Sequence, residues 1–141
     1  MSFDKILSIS GKPGLYEIKA QTKGGFIAQK IDDKKKLNVN LRHNVSMLSE
    51  IAMYTYTEEV PLREVFQKIA DKENGGETIS HKESKAKLES YFQEVLPEYD
   101  EDRVYASDIK KVVQWYNMLV KSGINNFAEE EKTEDTFGEE E

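Results

Sequence analysis

Apolar and polar residues alternate through the first 57 residues, a pattern typical of β-strands. The alternation predicts five short strands, at residues 7–10, 15–20, 26–31, 36–41 and 51–57. Turn-forming glycine and proline residues separate them, as in GKPG after the first strand and GG before the third. Because closing such a sheet protects its edges, the pattern predicts an SH3-like small β-barrel over residues 3–57.

After Pro61 the apolar residues recur with a helical period. A first helix over residues 61–73 would have an apolar face formed by Leu62, Val65, Phe66 and Ile69. Two further helices are expected as a hairpin over residues 81–123. Ser80 and Glu83 match a capping box for the first of these, and Ser107 is the expected N-cap of the last. The predicted fold class is therefore α+β, with a three-helix region over residues 58–123.

The charge is concentrated at one end of the chain. The formal net charge is −7, and residues 125–141 alone contain eight acidic residues and one lysine. Because so polar a segment cannot bury enough surface to offset its ordering entropy, we predict a disordered acidic tail over residues 124–141. Such a tail masks a basic surface, binds a basic partner or serves solubility alone.

The composition excludes several kinds of chemistry. The chain has no cysteine and only two histidines, His43 and His81, which both have polar neighbours and are expected at the surface. This excludes disulfides and cysteine-ligated metals, and it fits a reducing compartment. No signal-peptide pattern and no run of about 18 apolar residues occurs, so we expect a cytoplasmic protein that contacts no membrane.

The acidic segment at residues 100–108 joins two predicted helices and resembles a calcium loop only in composition. An EF-hand starting at Asp100 needs glycine at its sixth position and glutamate at its twelfth, where this chain has Tyr105 and Lys111. We therefore predict a capping loop in which Arg103 pairs with a neighbouring acid. GKPG likewise lacks the spacing of a phosphate loop. No enzyme activity, cofactor or small-molecule substrate is expected.

Basic residues in the predicted barrel suggest a surface for phosphates. The candidate nucleic-acid-binding residues, mostly at turns, are Lys12, Lys23, Lys34, Lys35, Lys36 and Arg42. The alternative is a solvated basic rim, since charge alone seldom identifies nucleic-acid binding. Tyr54 and Tyr56 should project from one face of their strand as stacking platforms, or they fill the core.

The third predicted helix contains the candidate residues for a protein contact. Trp115, Met118 and Leu119 belong to residue types found at the centres of interfaces or beside them. The alternative is that Trp115 packs this helix on the barrel or on the second helix, because a chain this small needs its aromatic residues for its own core.

Several long stretches resemble a family of small cytosolic proteins from Bacteroidota that is known only as a domain of unknown function. They are LSISGKPGLY, TKGGFI, EEVPLREVFQKI, KENGG and YFQEVLPEYDEDRVYASDIKKVVQWYNML, within residues 3–123. The resemblance implies a bacterial protein with a β-rich first part and a helical second part. It implies no reaction, cofactor or catalytic residue.

Together these features favour a non-enzymatic binding protein. The preferred hypothesis is an accessory factor that docks on a nucleoprotein machine, the ribosome or RNA polymerase, through the basic barrel surface. The alternative is a protein–protein adaptor without nucleic-acid contact. Salt dependence would separate them, because phosphate binding weakens steeply with salt.

Overall fold

Seven strands and three helices form the part of the chain that the computed structural model describes, which is residues 3–40, 42, 44–124 and 127. The strands are β1 (Ile6–Ile9), β2 (Lys12–Thr22), β3 (Gly25–Lys30), β4 (Lys36–Asn40), β5 (Val45–Met47), β6 (Ala52–Tyr54) and β7 (Glu59–Pro61). The helices are α1 (Leu62–Lys72), α2 (Lys85–Val95) and α3 (Ala106–Lys121). Short 3₁₀ turns occupy residues 3–5 and 48–50. The fold class is α+β, as predicted.

The first five strands form one antiparallel sheet in the order β4-β3-β2-β1-β5. The long strand β2 belongs to both halves of this sheet, because its first part pairs with β1 and its second part pairs with β3. The register shifts between Ile18 and Ala20, where β2 pairs with β3. Such irregularities bend a strand and increase its twist.

The predicted closure into a barrel is wrong. Strands β4 and β5 lie at opposite edges of the sheet and do not pair, so the sheet stays open. The apolar run at 51–57, expected as the last barrel strand, instead pairs with β7 as a separate two-stranded sheet. The fifth strand of the main sheet is β5, which lies between the predicted strands at 36–41 and 51–57 and pairs with β1. An apolar run predicts a strand, but it does not specify which strand it pairs with.

Both faces of the main sheet are apolar because each covers a different core. The side chains of Ile6, Leu15 and Ile31 pack with the helices in the larger core. The other face encloses a smaller cluster that draws on four strands, namely Leu7, Ile9, Tyr16, Ala28 and Val39. Alternation along β1 therefore separates two buried environments rather than core from solvent.

The helices form at the predicted places, but two of their caps differ. Helix α2 begins at Lys85, and the Ser84 hydroxyl accepts the Lys87 N–H at 3.2 Å. The predicted cap, Ser80, is four residues earlier and accepts the Lys82 N–H within a turn. Helix α3 has Tyr105 rather than Ser107 as its N-cap residue, and Asp108 accepts the Tyr105 N–H at 2.9 Å. None of the described helices combines the length and apolarity needed to cross a lipid bilayer.

The prediction of disorder from residue 124 onward is wrong at two positions. Ile124 is 6% exposed and Phe127 is 1% exposed, and both belong to the larger core. The ring of Phe127 packs against those of Phe3, Phe66 and Tyr116, with centroid distances of 5.3–6.0 Å. The remainder of the predicted tail, residues 125–126 and 128–141, lies outside the described residues, as does His43.

The segment between α1 and α2 has no helix or strand, and partly buried hydrogen bonds attach it to the helices. The Tyr91 hydroxyl donates to Glu73 Oε2 at 2.6 Å, and the Thr78 hydroxyl donates to the same oxygen at 3.1 Å. Tyr116 donates to the Gly76 carbonyl at 2.7 Å, and the Asn117 side chain accepts the Thr78 N–H at 2.8 Å. The segment is therefore positioned by side chains of α2 and α3.

We expect Tyr91→Phe to lower the free energy of unfolding by about 1.5–3 kcal/mol, because it removes a hydrogen bond to a carboxylate. Burial, followed by the hydrogen bond to Glu73, raises the pKa of Tyr91. The contribution of Tyr91 to the free energy of unfolding is therefore fully present below about pH 10, where the unfolded tyrosine is neutral. It is lost as the pH rises further. Urea unfolding across that pH range measures both effects.

Tyr105→Phe is the matched control, because the Tyr105 side chain is 64% exposed. It should leave both the stability and its decline at alkaline pH unchanged. If Tyr91→Phe were equally neutral, Glu73 would not hold the segment as described.

Candidate interaction surfaces

A cleft of about 290 Å³ lies between β6, α3 and the β1–β5 edge of the main sheet. Its apolar lining is formed by Ile51, Met53, Leu62, Val104, Val112 and Trp115. Ser8 and Ser46, which are opposite each other on β1 and β5, add hydroxyl groups. Arg103, Asp108 and Lys111 contribute charged groups. An apolar base with a few polar groups is the usual composition of a binding site.

Arg103 is held in place by two contacts beside this cleft. Its Nε donates to Asp100 Oδ2 at 2.9 Å, and its guanidinium lies over the ring of Tyr54, 4.4 Å from the centroid. The hydrogen bond from Arg103 lowers the pKa of Asp100, which also accepts the Asp102 N–H at 2.9 Å. The interpretation of residues 100–108 as a capping loop with an Arg103 ion pair is confirmed.

Three tyrosines are exposed near this cleft or on the strand that forms it. The exposed fractions are 38% for Tyr54, 62% for Tyr56 and 64% for Tyr105, whereas Met53 and Thr55 are buried. The predicted alternation of exposure over residues 53–56 is confirmed, but β6 ends at Tyr54, so Tyr56 lies beyond the strand, and neither tyrosine fills the core. Tyr54 lines the cleft, and Tyr105 follows the lining residue Val104.

The three candidate partner-binding residues of α3 have different environments. Trp115 is half-buried, packs against the larger core and lines the cleft. Met118 is also half-buried, but it lines other cavities. Leu119 is completely buried, so its assignment to a partner surface is wrong. Leu119 follows Val112 by seven residues and Tyr116 by three, which places it on the helix face that packs inward.

The six candidate basic residues are all exposed. Strand pairing places Lys12 and Lys23 near the two ends of the loop that contains Arg42. The Ser10 N–H donates to the Asn44 carbonyl at 2.9 Å, which brings the turn before Lys12 beside the end of the loop that contains Arg42. Asn40, at the start of that loop, pairs with Gly25, two residues after Lys23. Lys12, Lys23 and Arg42 therefore lie on adjoining loops, which we call the basic loop cluster.

The lysine run begins in a different turn, between β3 and β4, and ends at Lys36, the first residue of β4. Lys34 has a positive φ of 65°, and the Lys35 N–H donates to Asp33 Oδ1 at 3.0 Å. This turn packs beside the end of α3, where Lys34 and Met118 line a common cavity of about 540 Å³. Lys34 therefore shares a surface with α3, and the lysine run begins at a turn other than the loop of Arg42.

Two family models match the chain, and they divide it near residue 50. A domain of unknown function (DUF5606) matches residues 3–48, which contain the five-stranded sheet. A second domain of unknown function (DUF6852) matches residues 51–119, which contain β6, β7, α1, α2 and most of α3. No curated protein matches the chain.

A solution NMR structure of a protein from Bacteroides vulgatus, solved by the Northeast Structural Genomics Consortium, has the same fold. It is 48% identical in sequence, the match covers 89% of this chain and 90% of that one, and the TM-score is 0.74. The chain therefore belongs to an uncharacterised family that has a member in Bacteroides vulgatus, and it carries the domains of unknown function DUF5606 and DUF6852.

Proposed function

We propose that this protein is a non-enzymatic adaptor that binds a protein partner in the cleft between β6 and α3. The observation that carries the proposal is the composition of the cleft. Its apolar lining includes the half-buried Trp115, while Arg103 and Tyr54 are stacked at its rim. Tryptophan, tyrosine and arginine dominate the energetics of protein interfaces when they surround a pocket that becomes dry on binding.

Positioning of these side chains before binding supports the same proposal. Arg103 is fixed by Asp100 and by the Tyr54 ring, so little side-chain freedom remains to be lost when a partner arrives. Trp115 is anchored in the larger core on one side. When the main contact residues of a cleft are already ordered, binding loses less conformational entropy and the affinity is higher.

The second candidate function is an accessory factor on a nucleoprotein machine such as the ribosome or RNA polymerase. It is favoured by the basic loop cluster, because three exposed cations on adjoining loops can contact neighbouring phosphates. In this case Lys34, Lys35 and Lys36 supply a separate positive surface. Both candidate functions assign the protein to binding inside the cytoplasm, without a catalytic step.

We expect the double variant Tyr105→Ala/Lys111→Glu to lose partner recovery from native cytosol, at low and at moderate salt and after nuclease treatment. Loss of interface contacts of this kind costs about 2 kcal/mol or more, about thirtyfold in affinity. Both side chains are exposed, so the free energy of unfolding should stay within about 0.5 kcal/mol. Affinity purification with quantitative mass spectrometry measures the recovery.

The triple variant Lys12→Glu/Lys23→Glu/Arg42→Glu is the matched control, because it changes the basic loop cluster and leaves the cleft intact. Under the adaptor proposal it recovers the same partner as the wild type. Loss of recovery in this variant alone, together with sensitivity to nuclease and salt, would contradict the adaptor and support the nucleoprotein function.

A further inference from the structure

The cleft contains an open strand edge. The Thr55 N–H donates to the Glu58 carbonyl and the Leu62 N–H donates to the Ile51 carbonyl. Met53, which lies midway between Ile51 and Thr55, therefore directs its backbone N–H and C=O groups toward β7. In an antiparallel pair the residues on either side of such a residue direct their N–H and C=O groups away from the neighbouring strand. Among the described residues, the Ala52 N–H and C=O and the Tyr54 N–H have no hydrogen-bond partner.

This edge is open to the cleft rather than covered. Ala52 and Tyr54 both line the cleft, and Ala52 is partly exposed. Farther along the same edge, the Tyr54 carbonyl accepts the Asp100 N–H at 2.9 Å and the Tyr56 N–H donates to the Glu98 carbonyl at 3.0 Å. The segment at 98–100 thus already pairs with one end of the edge, and the other end can accept an extended chain.

Asp100 already offsets the charge of Arg103, but two cations of the cleft, Arg103 and Lys111, still have N–H groups that a carboxylate of an occupant can accept. The terminal nitrogens of Arg103 find no acceptor within the described part of the chain, and Lys111 forms no ion pair there. Asp108, the acid among the cleft residues, already accepts the Tyr105 N–H. An occupant therefore needs an extended backbone, carboxylates for Arg103 and Lys111, and an apolar side chain for the surface beside Trp115.

We propose that the occupant is residues 128–141 of this same chain, which dock in the cleft and compete with the partner. This segment contains eight acidic residues, one lysine and a single aromatic residue, Phe137. Phe137 supplies the apolar side chain, and its acidic neighbours supply the carboxylates. The competition rests on the proposed adaptor function, whereas the docking is tested without any partner.

The position of Phe127 and the length of chain after it are compatible with this docking. Its carbonyl accepts a hydrogen bond from Arg63 Nη1 at 3.4 Å, and Arg63 follows Leu62, which lines the cleft. The ten residues from Phe127 to Phe137 span at most about 33–36 Å when extended. That reach exceeds the length of α3, which at 16 residues is about 24 Å long.

Trp115 is the only tryptophan of the protein and lines the cleft, so its fluorescence reports the occupant directly. In the full chain at low salt, docking should protect Trp115 from acrylamide. Deleting residues 128–141 leaves every described residue in place, and it should increase quenching and shift emission to longer wavelength. Phe137→Ala and Lys111→Glu in the full chain should do the same.

Two further measurements identify the occupant. A synthetic peptide of residues 128–141 should restore the protection of the shortened chain at millimolar concentration, the effective concentration of a short flexible tether. The protection in the full chain should not change on dilution, whereas exchange between two copies would make it concentration-dependent. Lys34→Glu/Lys35→Glu/Lys36→Glu is the control variant and should leave Trp115 protected.

Equal quenching in the full and shortened chains at low salt would overturn the proposal. Protection that disappears on dilution, or that depends on Lys34, Lys35 and Lys36 instead of Lys111, would also overturn it. The adaptor function is tested separately: it would be contradicted if the variant Tyr105→Ala/Lys111→Glu still recovered the partner. If the segment competes, the shortened chain should recover more partner than the full chain.

Discussion

Substituting Phe127→Ala should lower the free energy of unfolding by about 3–5 kcal/mol, through lost burial and the cavity left behind. The side chain is 1% exposed and contacts the rings of Phe3, Phe66 and Tyr116. Such aromatic contacts add to the burial of apolar area. Because a domain of this size is stable by only about 5–15 kcal/mol, urea denaturation should detect the loss easily.

Two truncations provide the matched comparison. Removing residues 125–141 also removes Phe127, so it should cost about as much as Phe127→Ala. Removing residues 128–141 keeps Phe127 and should change the free energy of unfolding little. If the longer truncation were as stable as the full chain, Phe127 would not be part of the core in solution, and the original boundary of the acidic tail at residue 124 would be restored.

Gly25→Ala should destabilise the protein by about 3 kcal/mol, the upper end of the usual cost of overpacking. A Cβ atom at this position would lie 1.9 Å from the Val39 carbonyl oxygen and 2.8 Å from the Asn40 Cα. These are backbone atoms of the paired strand β4, so they can move away only if the β3–β4 pairing opens at Asn40. Urea denaturation measures the loss.

The adjacent residue provides the control for this substitution. A Cβ atom at Gly24 would meet nothing within 4 Å, and its φ is outside the positive range. Gly24→Ala should therefore leave stability unchanged or raise it by about 0.4–1 kcal/mol, because alanine restricts the unfolded chain. Equal effects of the two substitutions would contradict the close approach of β4 to Gly25.

The helices were predictable from sequence because their signals are local. In α1 the spacing of Leu62, Val65, Phe66 and Ile69 identified the buried face, and all four are buried in the structure. The start of α2 was predicted wrongly, since the sequence pattern indicated Ser80 as the cap and the structure has Ser84. The choice between them depends on where the preceding segment is held, and Asn117 of α3 holds that segment at Thr78.

The candidate site was predictable only in part. Trp115 could be singled out by residue type, but the cleft that it lines requires β6, and β6 had been assigned to a barrel. Arg103 was predicted as the partner of an acid, and its stacking on Tyr54 was missed because the two residues are far apart in sequence. Leu119 was misassigned because helical periodicity identifies an apolar face without showing which part of it another element covers.

By itself, the sequence determined that a β-rich part precedes three helices, the α+β class and most turns, because these depend on residues within a few positions of one another. Only the tertiary structure decided that the sheet stays open, that β5 pairs with β1 and that Phe127 completes the larger core. Each of these outcomes joins residues distant in the chain. The free energy that favours these outcomes comes from contacts formed only on folding, so the local pattern of polar and apolar residues does not predict them.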